Sequence, residues 1–291
     1  MAVRATATAK NTMQKYERLL LTGAAGGLGR VLREGLRPCG RILRLSDIAP
    51  LGAASEGEEL MPCDLADKSA VDALVRGCDA IVHLGGLATE HAFEQILEAN
   101  IKGAFHVYEA ARRHGVRRVV FASSNHVTGF HPVGQPLDAE SPRRPDSYYG
   151  LSKCFGEDLA RFYFDRYGVE TACVRIGSCF PEPRDRRMLI TWLSYRDLTD
   201  LVRCCLAAPR VGHTVVYGVS KNRDAWWDNS GAAHLRFEPR DSSEPWRERI
   251  ESQPTAESGD PATQYQGAGF VQAGPFETPP AETPKTPKET S

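Results

Sequence analysis

The sequence lacks any long apolar run. Its 291 residues contain no stretch near the roughly 18 consecutive apolar residues that a membrane-spanning helix needs, and no apolar segment follows the first methionine. An excess of charge is also lacking, because 36 basic residues are balanced by 37 acidic ones. Without a strongly basic surface, binding to nucleic acid or to an anionic membrane is not expected. We therefore expect a cytoplasmic protein that acts on small molecules.

Cysteine pairs with the C-x-x-C spacing are absent as well. None of the eight cysteines forms a C-x-x-C pair, and most stand among apolar neighbours: Cys39, Cys63, Cys78, Cys154, Cys173, Cys179, Cys204 and Cys205. This pattern is typical of reduced, buried thiols rather than of a disulfide-linked protein. It gives no support for a metal site.

What the sequence does contain is an alternation of short apolar segments with amphipathic ones. It predicts strands at 18–22, 42–45, 80–84, 118–122 and from about 171, another strand ending at Asp64, and helices within 23–36, at 69–75 and at 93–114. Strands and helices that alternate at this spacing build right-handed βαβ units. The predicted fold is α/β, a Rossmann-type doubly wound parallel sheet with a small C-terminal substrate-binding region.

One strand end carries an unusual run of polar side chains. Residues 122–130 read ASSNHVTGF directly after the apolar segment that ends at Phe121. Four polar groups in succession cost desolvation free energy unless each finds a partner. Ligands of parallel sheets bind beyond the carboxyl ends of the strands, so these groups are expected to face a ligand.

A glycine-rich turn follows the first predicted strand. Gly23, Gly26 and Gly29 form G-x-x-G-x-x-G, with Gly27 and Leu28 between them, at the start of a predicted helix. Glycines here let the backbone approach a pyrophosphate, which the amides of the helix N-terminus then stabilise. The same glycines could equally serve a turn in any fold.

Acidic residues follow the next two predicted strands. Asp47 stands 18 residues after Gly29, where a carboxylate accepts hydrogen bonds from ribose hydroxyls and repels a 2′-phosphate. This favours NAD, although Arg30 and Arg44 nearby leave NADP open. Asp64 and Leu65 are candidates for contact with the adenine, and the alternative for Asp64 is that it caps the following helix.

The sequence YYGLSK places Tyr149 and Lys153 four residues apart, on one face of a predicted helix. An ammonium group beside a phenol favours the phenolate, which turns the phenol into a possible base near neutral pH. Taken alone, such a pair is usually solvated helix surface. Ser124, about 25 residues upstream, and the glycine-rich turn make the catalytic interpretation the better one.

Together these features resemble the extended short-chain dehydrogenase/reductase superfamily of the NAD-dependent epimerase/dehydratase type. The segments LGGLA, FASSNHVTG, YGLSKCFGE, RIGSCFPEP and WWDNS are more narrowly similar to uronate dehydrogenases. The resemblance extends from about residue 18 to about 276. It implies an enzyme that oxidises C1 of a pyranose hexuronate, D-glucuronate or D-galacturonate, to the aldaro-lactone with transfer of hydride to NAD.

The resemblance also assigns roles to individual residues. It implies that Ser124, Tyr149 and Lys153 are catalytic, that Lys153 also holds the nicotinamide ribose, and that Asn125, His126, Ser178 and Arg187 bind the substrate. It implies that Asn100 belongs to the cofactor end of the site and supports Lys153 and a water molecule. Ala88 stands where the family has a substrate-contacting serine, which leaves the preferred epimer in doubt.

Several alternatives stay open. His126 could be a structural histidine and Asn100 a polar helix residue. Trp226 and Trp227 are expected to pack a loop onto the body or onto another subunit, and Arg184 and Arg186 are expected at the surface. For the whole chain, the alternatives are a nucleotide-sugar epimerase or dehydratase of the same superfamily and a non-catalytic NAD-binding sensor.

The expected organisation has four parts. Residues 1–16 form a flexible extension, for which a weak transit peptide is the alternative, and 277–291 form a disordered tail rich in Pro and Thr. Residues 17–175 form the NAD-binding domain with the catalytic residues, and 176–276 form the substrate-binding region. The helix PWRERI is the one element predicted between about 229 and 276. We expect a homo-oligomer.

Overall fold

The structure, a computed structural model, describes residues 16–254 and 259–274. Apart from Tyr16, which begins the first strand, the predicted N-terminal extension lies outside the described residues. The predicted tail, 277–291, lies outside them entirely. No helix among the described residues is long and apolar enough to cross a membrane.

Seven parallel strands form the main sheet, in the order β3-β2-β1-β4-β5-β6-β9. They are β1 (Tyr16–Thr22), β2 (Gly40–Ser46), β3 (Glu58–Leu60), β4 (Ala80–His83), β5 (Arg118–Ser124), β6 (Glu170–Ile176) and β9 (His213–Gly218), and the short strands β7 (Ser178–Cys179) and β8 (Trp192–Leu193) pair with each other. The winding direction reverses between β1 and β4, which is the Rossmann-type arrangement. The predicted fold class is confirmed.

Helices cover both faces of this sheet. They are α1 (Gly27–Gly35), α2 (Lys68–Val75), α3 (Phe93–Ile96), α4 (Gly103–Arg113), α5 (Tyr148–Tyr167), α6 (Met188–Thr191), α7 (Tyr195–Ala207), α8 (Arg247–Glu251) and α9 (Pro261–Gln264). Successive residues of β1 point to opposite faces, so that Leu19 and Leu21 join one apolar core and Leu20 joins the other. Burial on both sides explains why the strands read as continuous apolar runs.

The third strand ends earlier than predicted, at Leu60 rather than at Asp64. The strand β3 stops at Leu60, yet Met61 and Cys63 still donate backbone hydrogen bonds to the carbonyls of Leu45 and Asp47. The chain therefore stays beside β2, and Asp64 reaches the carboxyl edge of the sheet without belonging to the strand.

The open alternative for Asp64 is resolved by the cap of α2. Asp67 caps this helix, since its Oδ1 accepts hydrogen bonds from the amides of Ser69 and Ala70. Asp64 instead accepts from the amide of Ala66. The interpretation of Asp64 as the helix cap was wrong, because the cap is Asp67, three residues later.

The predicted helix 93–114 is not one regular α-helix. Residues Leu97–Lys102 form a π-helical turn between α3 and α4. Such turns displace the residues that follow and occur often at functional sites. Here the turn contains Asn100.

The region after β6 is joined to the sheet. Its strand β9 pairs in parallel with β6, and α7 contributes Leu198 and Leu201 to the core that covers β1. The sequence analysis predicted neither element. The expected helix PWRERI is present as a 3-10 turn, Glu244–Trp246, followed by α8.

Candidate active site

A cavity of about 1080 Å³ lies at the carboxyl ends of the strands. Fifteen of the sixteen predicted site residues line it: Gly23, Gly26, Gly27, Leu28, Gly29, Asp47, Asp64, Leu65, Ser124, Asn125, His126, Tyr149, Lys153, Ser178 and Arg187. Ala88 lines it as well. The volume is at the upper limit of usual ligand pockets, as expected for a cavity that takes more than one small ligand.

The glycine-rich turn has no room for a side chain at Gly29. A Cβ on Gly29 would lie 2.0 Å from the carbonyl oxygen of Gly23, and Gly23 itself has a φ of +70°. A Cβ on Gly27 would meet no atom within 4 Å, because this position faces the cavity. The backbone and the N-terminus of α1 are therefore open to an anionic group, as a pyrophosphate requires.

Asp47 connects the end of β2 to this turn. Its Oδ2 accepts from the amide of Ala25 at 2.9 Å, and its Oδ1 accepts from the amide of Ala49 at 3.0 Å. The neighbouring Ser46 hydroxyl is buried against the cavity and has no hydrogen-bond partner in the structure. An unpartnered buried hydroxyl beside an aspartate fits a site that a polar ligand completes.

The two arginines that left NADP open do not line the cavity. Arg44 is held by Glu59, with Nε 2.9 Å from Oε2, and by the carbonyls of Leu74 and Arg76. Arg30 lies exposed on α1. Neither side chain contributes to the lining of the cavity beside Asp47.

Asn100 is the predicted cofactor residue that does not line the cavity. Its amide holds both backbone groups of Leu87, with Oδ1 2.7 Å from the Leu87 nitrogen and Nδ2 3.0 Å from the Leu87 oxygen, and it also donates to Ser152 Oγ. Asn100 therefore fixes the loop after β4, whose residues line the cavity. Its predicted support of Lys153 and of a water molecule at the cofactor end stays a prediction.

The three predicted catalytic residues converge at the end of β5. Ser124 is the last residue of this strand, and α5 brings Tyr149 and, one turn later, Lys153 beside it. The Ser124 side chain is close enough to the Tyr149 phenol to lower its pKa. Lys153 Nζ donates to the carbonyl of Ala122 at 2.9 Å and lies 5.4 Å from the centre of the Tyr149 ring.

The electrostatics of the pair differ from the sequence-based expectation. Burial raises the pKa of Tyr149 to about 12, and the hydrogen bond with Ser124 opposes that rise. Burial lowers the pKa of Lys153 to about 8. Desolvation is the largest effect on both groups, and a positive charge bound beside Tyr149 would lower the pKa of the phenol.

Arg187 defines the opposite end of the cavity. Its Nε donates to the carbonyl of Gln266 at 2.7 Å, and its Nη1 donates to Ser178 Oγ at 2.9 Å. With the Asn125 amide oriented to satisfy its neighbours, Oδ1 of Asn125 accepts from Arg187 Nη2 at 2.8 Å. Three of the predicted substrate residues thus form one hydrogen-bonded group.

His126 lies between these two ends. Its Nδ1 is 2.7 Å from Oδ2 of Asp146, and its ring stacks on Phe270 with the ring centres 3.7 Å apart. Desolvation by burial lowers the pKa of the imidazole, although Asp146 opposes this effect. A neutral imidazole at the cavity wall suits hydrogen bonding to a sugar hydroxyl.

A sequence model of the NAD dependent epimerase/dehydratase family matches residues 19–210, which include the glycine-rich turn and all three catalytic candidates. The chain belongs to the NAD dependent epimerase/dehydratase family. Within the part of the chain that the structure describes, no group of three or more His, Cys, Asp or Glu residues could hold a metal ion.

Curated relatives within this family carry a narrower name. Uronate dehydrogenase of Pseudomonas putida is 61% identical over 91% of this chain and 99% of that protein. Uronate dehydrogenase of Agrobacterium fabrum is 53% identical over 88% of this chain and 97% of that protein. The predicted resemblance is confirmed.

Solved structures that resemble this chain carry the same kind of name as the curated relatives. A variant of uronate dehydrogenase from Agrobacterium tumefaciens complexed with NAD has a TM-score of 0.88 at 52% identity, covering 90% of this chain and 99% of that chain. Glucuronic acid dehydrogenase from Chromohalobacter salexigens has a TM-score of 0.87 at 54% identity, covering 89% and 98%. The expectation of NAD as cofactor is confirmed by this family membership and these neighbours.

Compared with the family motifs, the structure adds a residue that the sequence analysis missed. Glu90 is buried, and its two carboxylate oxygens accept from the amides of Tyr148 at 3.0 Å and Tyr149 at 2.7 Å. This caps α5 directly at Tyr149. Because Glu90 and Tyr148 are 58 residues apart, no local pattern predicts the contact.

A buried ion pair behind the site was also missed. Arg175 on β6 and Glu157 on α5 make two hydrogen bonds, at 2.9 and 2.8 Å, and both side chains are almost fully buried. Ser123, next to Ser124, donates to Glu157 Oε1, and Arg175 donates to the Tyr217 hydroxyl. The network ties α5 to the strands β5, β6 and β9.

The remaining predictions concern packing. Trp226 and Trp227 are buried, and Trp227 stacks on Tyr217 with ring centres 4.9 Å apart, so both pack a loop onto the body of the protein. Arg184 and Arg186 are exposed. Neither the tryptophans nor these arginines line the cavity.

Proposed function

We propose that this protein is a uronate dehydrogenase, which oxidises C1 of a pyranose hexuronate to the aldaro-lactone with NAD as the oxidant. D-glucuronate and D-galacturonate are the proposed substrates. The names of the relatives support the reaction, and the two ends of the cavity support the substrate class. One end carries a proton acceptor and the other carries a cation.

The observation that best supports the proposal is that Arg187 is a partly buried cation without a carboxylate partner among the described residues. Among the described residues, no carboxylate lies within ion-pair distance of it; its hydrogen bonds instead go to neutral oxygens. Burial lowers the pKa of its guanidinium, which shows that desolvation disfavours the charged form at this position. A substrate carboxylate supplies the missing negative charge, and the planar guanidinium is suited to bind it.

At the end of the cavity that holds Ser124, Tyr149 and Lys153, the residues of this chain accept one proton from the substrate. When bound, oxidised NAD supplies the hydride acceptor and a positive charge. A positive charge beside Tyr149 lowers the pKa of the phenol, against the effect of burial. Tyr149 then accepts the proton of the C1 hydroxyl, while Ser124 hydrogen-bonds and orients that hydroxyl. Lys153 adds a further positive charge and is placed to hold the nicotinamide ribose.

The same cavity supports NAD over NADP. Asp47 presents a carboxylate at the end of β2, and neither Arg30 nor Arg44 lines the cavity to neutralise a 2′-phosphate. A carboxylate repels such a phosphate. We infer that NADP is the poorer oxidant.

The alternative of a nucleotide-sugar enzyme fits this cavity less well. The segment around Gln266 and Phe270 covers the substrate end: the Gln266 carbonyl accepts from Arg187, and Phe270 stacks on His126. A nucleotide diphosphate attached to the sugar would need space where this segment lies. The sensor alternative gives no reason for Ser124, Tyr149 and Lys153 to converge.

We further propose that the protein is a homo-oligomer. Leu151, Phe155 and Phe162, all on α5, are exposed, and apolar side chains grouped on one helix are typical of subunit contacts. Cytoplasmic location stays a prediction from the sequence.

Arg187→Ala tests the proposed substrate class. We expect kcat/KM for D-glucuronate to fall about 10- to 150-fold, as the loss of about 1.5 to 3 kcal/mol from a charged hydrogen bond implies. D-glucose, which lacks the carboxylate, is expected to be a poor substrate that the substitution scarcely changes. Arg184→Ala is the matched control, because Arg184 is exposed near the same loop. An equal loss for both sugars would contradict a carboxylate site at Arg187.

A further inference from the structure

Asp146 is a buried carboxylate for which the mechanism above has no role. Its side chain is 0% exposed, Oδ2 lies 2.7 Å from His126 Nδ1, and Oδ1 accepts from Ser147 Oγ at 2.8 Å. A Cβ on Gly129 or on Gly267 would lie 1.7 or 1.9 Å from Oδ2 of Asp146. Two glycines from distant parts of the chain thus leave space for one carboxylate beside one imidazole.

The hydrogen bond between these two groups determines where the imidazole carries its proton. Burial and the positive charge of Arg187 favour the neutral ring, while Asp146 and Glu90 oppose them, and the net effect is a lowered pKa. A neutral imidazole has one N–H and one lone pair, and an ionised carboxylate can only accept. Nδ1 must therefore carry the proton, and Nε2 must carry the lone pair.

The acceptor nitrogen is the one left for a ligand. Within residues 16–254 and 259–274, no hydrogen bond engages Nε2 of His126, and His126 lines the cavity. The ring cannot turn freely, because it stacks on Phe270 with an interplanar angle of 24° and meets the edge of Tyr149. Nε2 is thus a hydrogen-bond acceptor held in a fixed direction.

We propose that Asp146 is a positioning residue that holds His126 in the tautomer with the proton on Nδ1, so that Nε2 accepts a hydrogen bond from one hydroxyl of the sugar acid. This inference rests on the proposed function, since it requires a polyhydroxylated substrate in the cavity. It makes the site selective for a hydrogen-bond donor at that point. A sugar that is deoxy or O-methylated there leaves the acceptor unpaired and is rejected.

The tautomer can be measured in the wild-type protein without any substrate. In 15N-histidine-labelled protein, long-range proton–nitrogen spectra distinguish the two neutral tautomers and the imidazolium, and His126→Gln identifies the signals of His126 by their loss. At pH 7 we expect a protonated Nδ1 and an unprotonated Nε2. A proton on Nε2, in either the neutral or the charged ring, would overturn the proposal.

Asp146→Asn tests the consequence for substrates. With wild-type enzyme, one member of a series of 2-, 3- and 4-deoxy-D-glucuronates should lose about 5- to 150-fold in kcat/KM, the cost of leaving a buried acceptor unpaired. An amide can donate to Nδ1 and so place the proton on Nε2. For the Asp146→Asn enzyme, kcat/KM for D-glucuronate should therefore fall to the value that wild type shows with that deoxy analogue. Removing the hydroxyl should then cause no further loss of kcat/KM.

Asp165→Asn is the matched control, because Asp165 pairs with Arg161 at the surface of α5, and it should keep the wild-type pattern. An Asp146→Asn enzyme with the same deoxy penalty as wild type would overturn the inference while leaving the proposed function intact. If wild type oxidised no uronate, the proposed function would fail instead. Should Asp146→Asn not fold, the wild-type spectra still decide the tautomer.

Discussion

Tyr149 shows how burial and catalysis oppose each other at a single side chain. The surroundings that exclude water from the phenol also raise its pKa to about 12, far above the pH at which an enzyme in a neutral medium works. Ser124 lowers it by one hydrogen bond, and the positive charges of Lys153 and of oxidised nicotinamide act in the same direction. The base is therefore expected to become effective only in the complex with the oxidised cofactor.

Tyr149→Phe removes the proton acceptor and leaves the ring in place. We expect kcat to fall by about 10² to 10⁴, the usual contribution of a general base, with little change in the affinity for NAD. Tyr148→Phe is the matched control, because the adjacent ring packs on Phe93 and does not line the cavity. Steady-state kinetics at saturating NAD would measure both, and a near-normal kcat for Tyr149→Phe would exclude this residue as the base.

A site residue could be predicted from the sequence when its partners lie close to it along the chain. Gly23 to Gly29, or Tyr149 with Lys153, are recognisable because the contributing residues stand within one turn or one helix face. Glu90, Asp146 and Gln266 escaped prediction because they contact Tyr148, His126 and Arg187 over separations of 58, 20 and 79 residues. A lone Asp or Glu in a loop carries no local pattern to indicate such a partner.

Among the elements, α5 carries two of the three proposed catalytic residues, Tyr149 and Lys153. Ser147 accepts from the amide of Gly150 at its first turn, and Glu90 accepts from the two amides before it. Farther along, Glu157 binds Ser123 and Arg175. The helix is thus fixed at its N-terminus and in its middle, on either side of Lys153.

Glu90→Gln should loosen this helix at its catalytic end. The amide nitrogen of glutamine faces a backbone N–H where an oxygen is needed, at a cost of about 1 to 3 kcal/mol. Because small misplacements of catalytic groups reduce rates strongly, we expect kcat to fall about 10-fold or more while the Kd for NAD is unchanged.

Glu98→Gln serves as the control for that variant, since Glu98 pairs with Lys102 at the surface. The measurement is kcat and KM for the uronate beside NAD titration by fluorescence. A parallel loss of NAD affinity in Glu90→Gln would mean that Glu90 supports the whole cavity rather than the position of Tyr149.

Elements were predicted well where burial alone dictates the pattern. The central strands are apolar on both faces, so β1, β4 and β5 were recognised within a few residues. The π-helical turn at Leu97–Lys102 was not recognised, because the apolar periodicity of the sequence does not distinguish it from the α-helical turns on either side. The strand β9 was missed because its role as the last strand of the sheet is a long-range property.

The stability of the whole molecule should depend on pH through a buried histidine. His83, at the end of β4, is fully buried with Nδ1 2.7 Å from Thr22 Oγ1, and burial lowers its pKa to about 3. In the unfolded chain the pKa is near 6.5. Between these values the unfolded state binds one more proton, so stability falls as the pH drops below about 6.5.

His83→Asn should therefore flatten the acid side of the stability curve. We expect urea unfolding to show that wild type loses up to about 1.4 kcal/mol more per pH unit than the variant between pH 6 and 4. His91→Asn, in a solvent-exposed hydrogen bond with Thr89, should follow wild type. Parallel curves for wild type and His83→Asn would show that His83 is not held neutral by the fold.

At the scale of the whole molecule, we propose that the cavity serves to oxidise a hexuronate with NAD. The most direct test is the absorbance of NADH after mixing purified protein with NAD and either D-glucuronate or D-galacturonate, with NADP in parallel. We predict reduction of NAD by at least one of the two acids and much slower reduction of NADP; the ratio of the acids will report the effect of Ala88. Binding of NAD without its reduction by either acid would contradict the account.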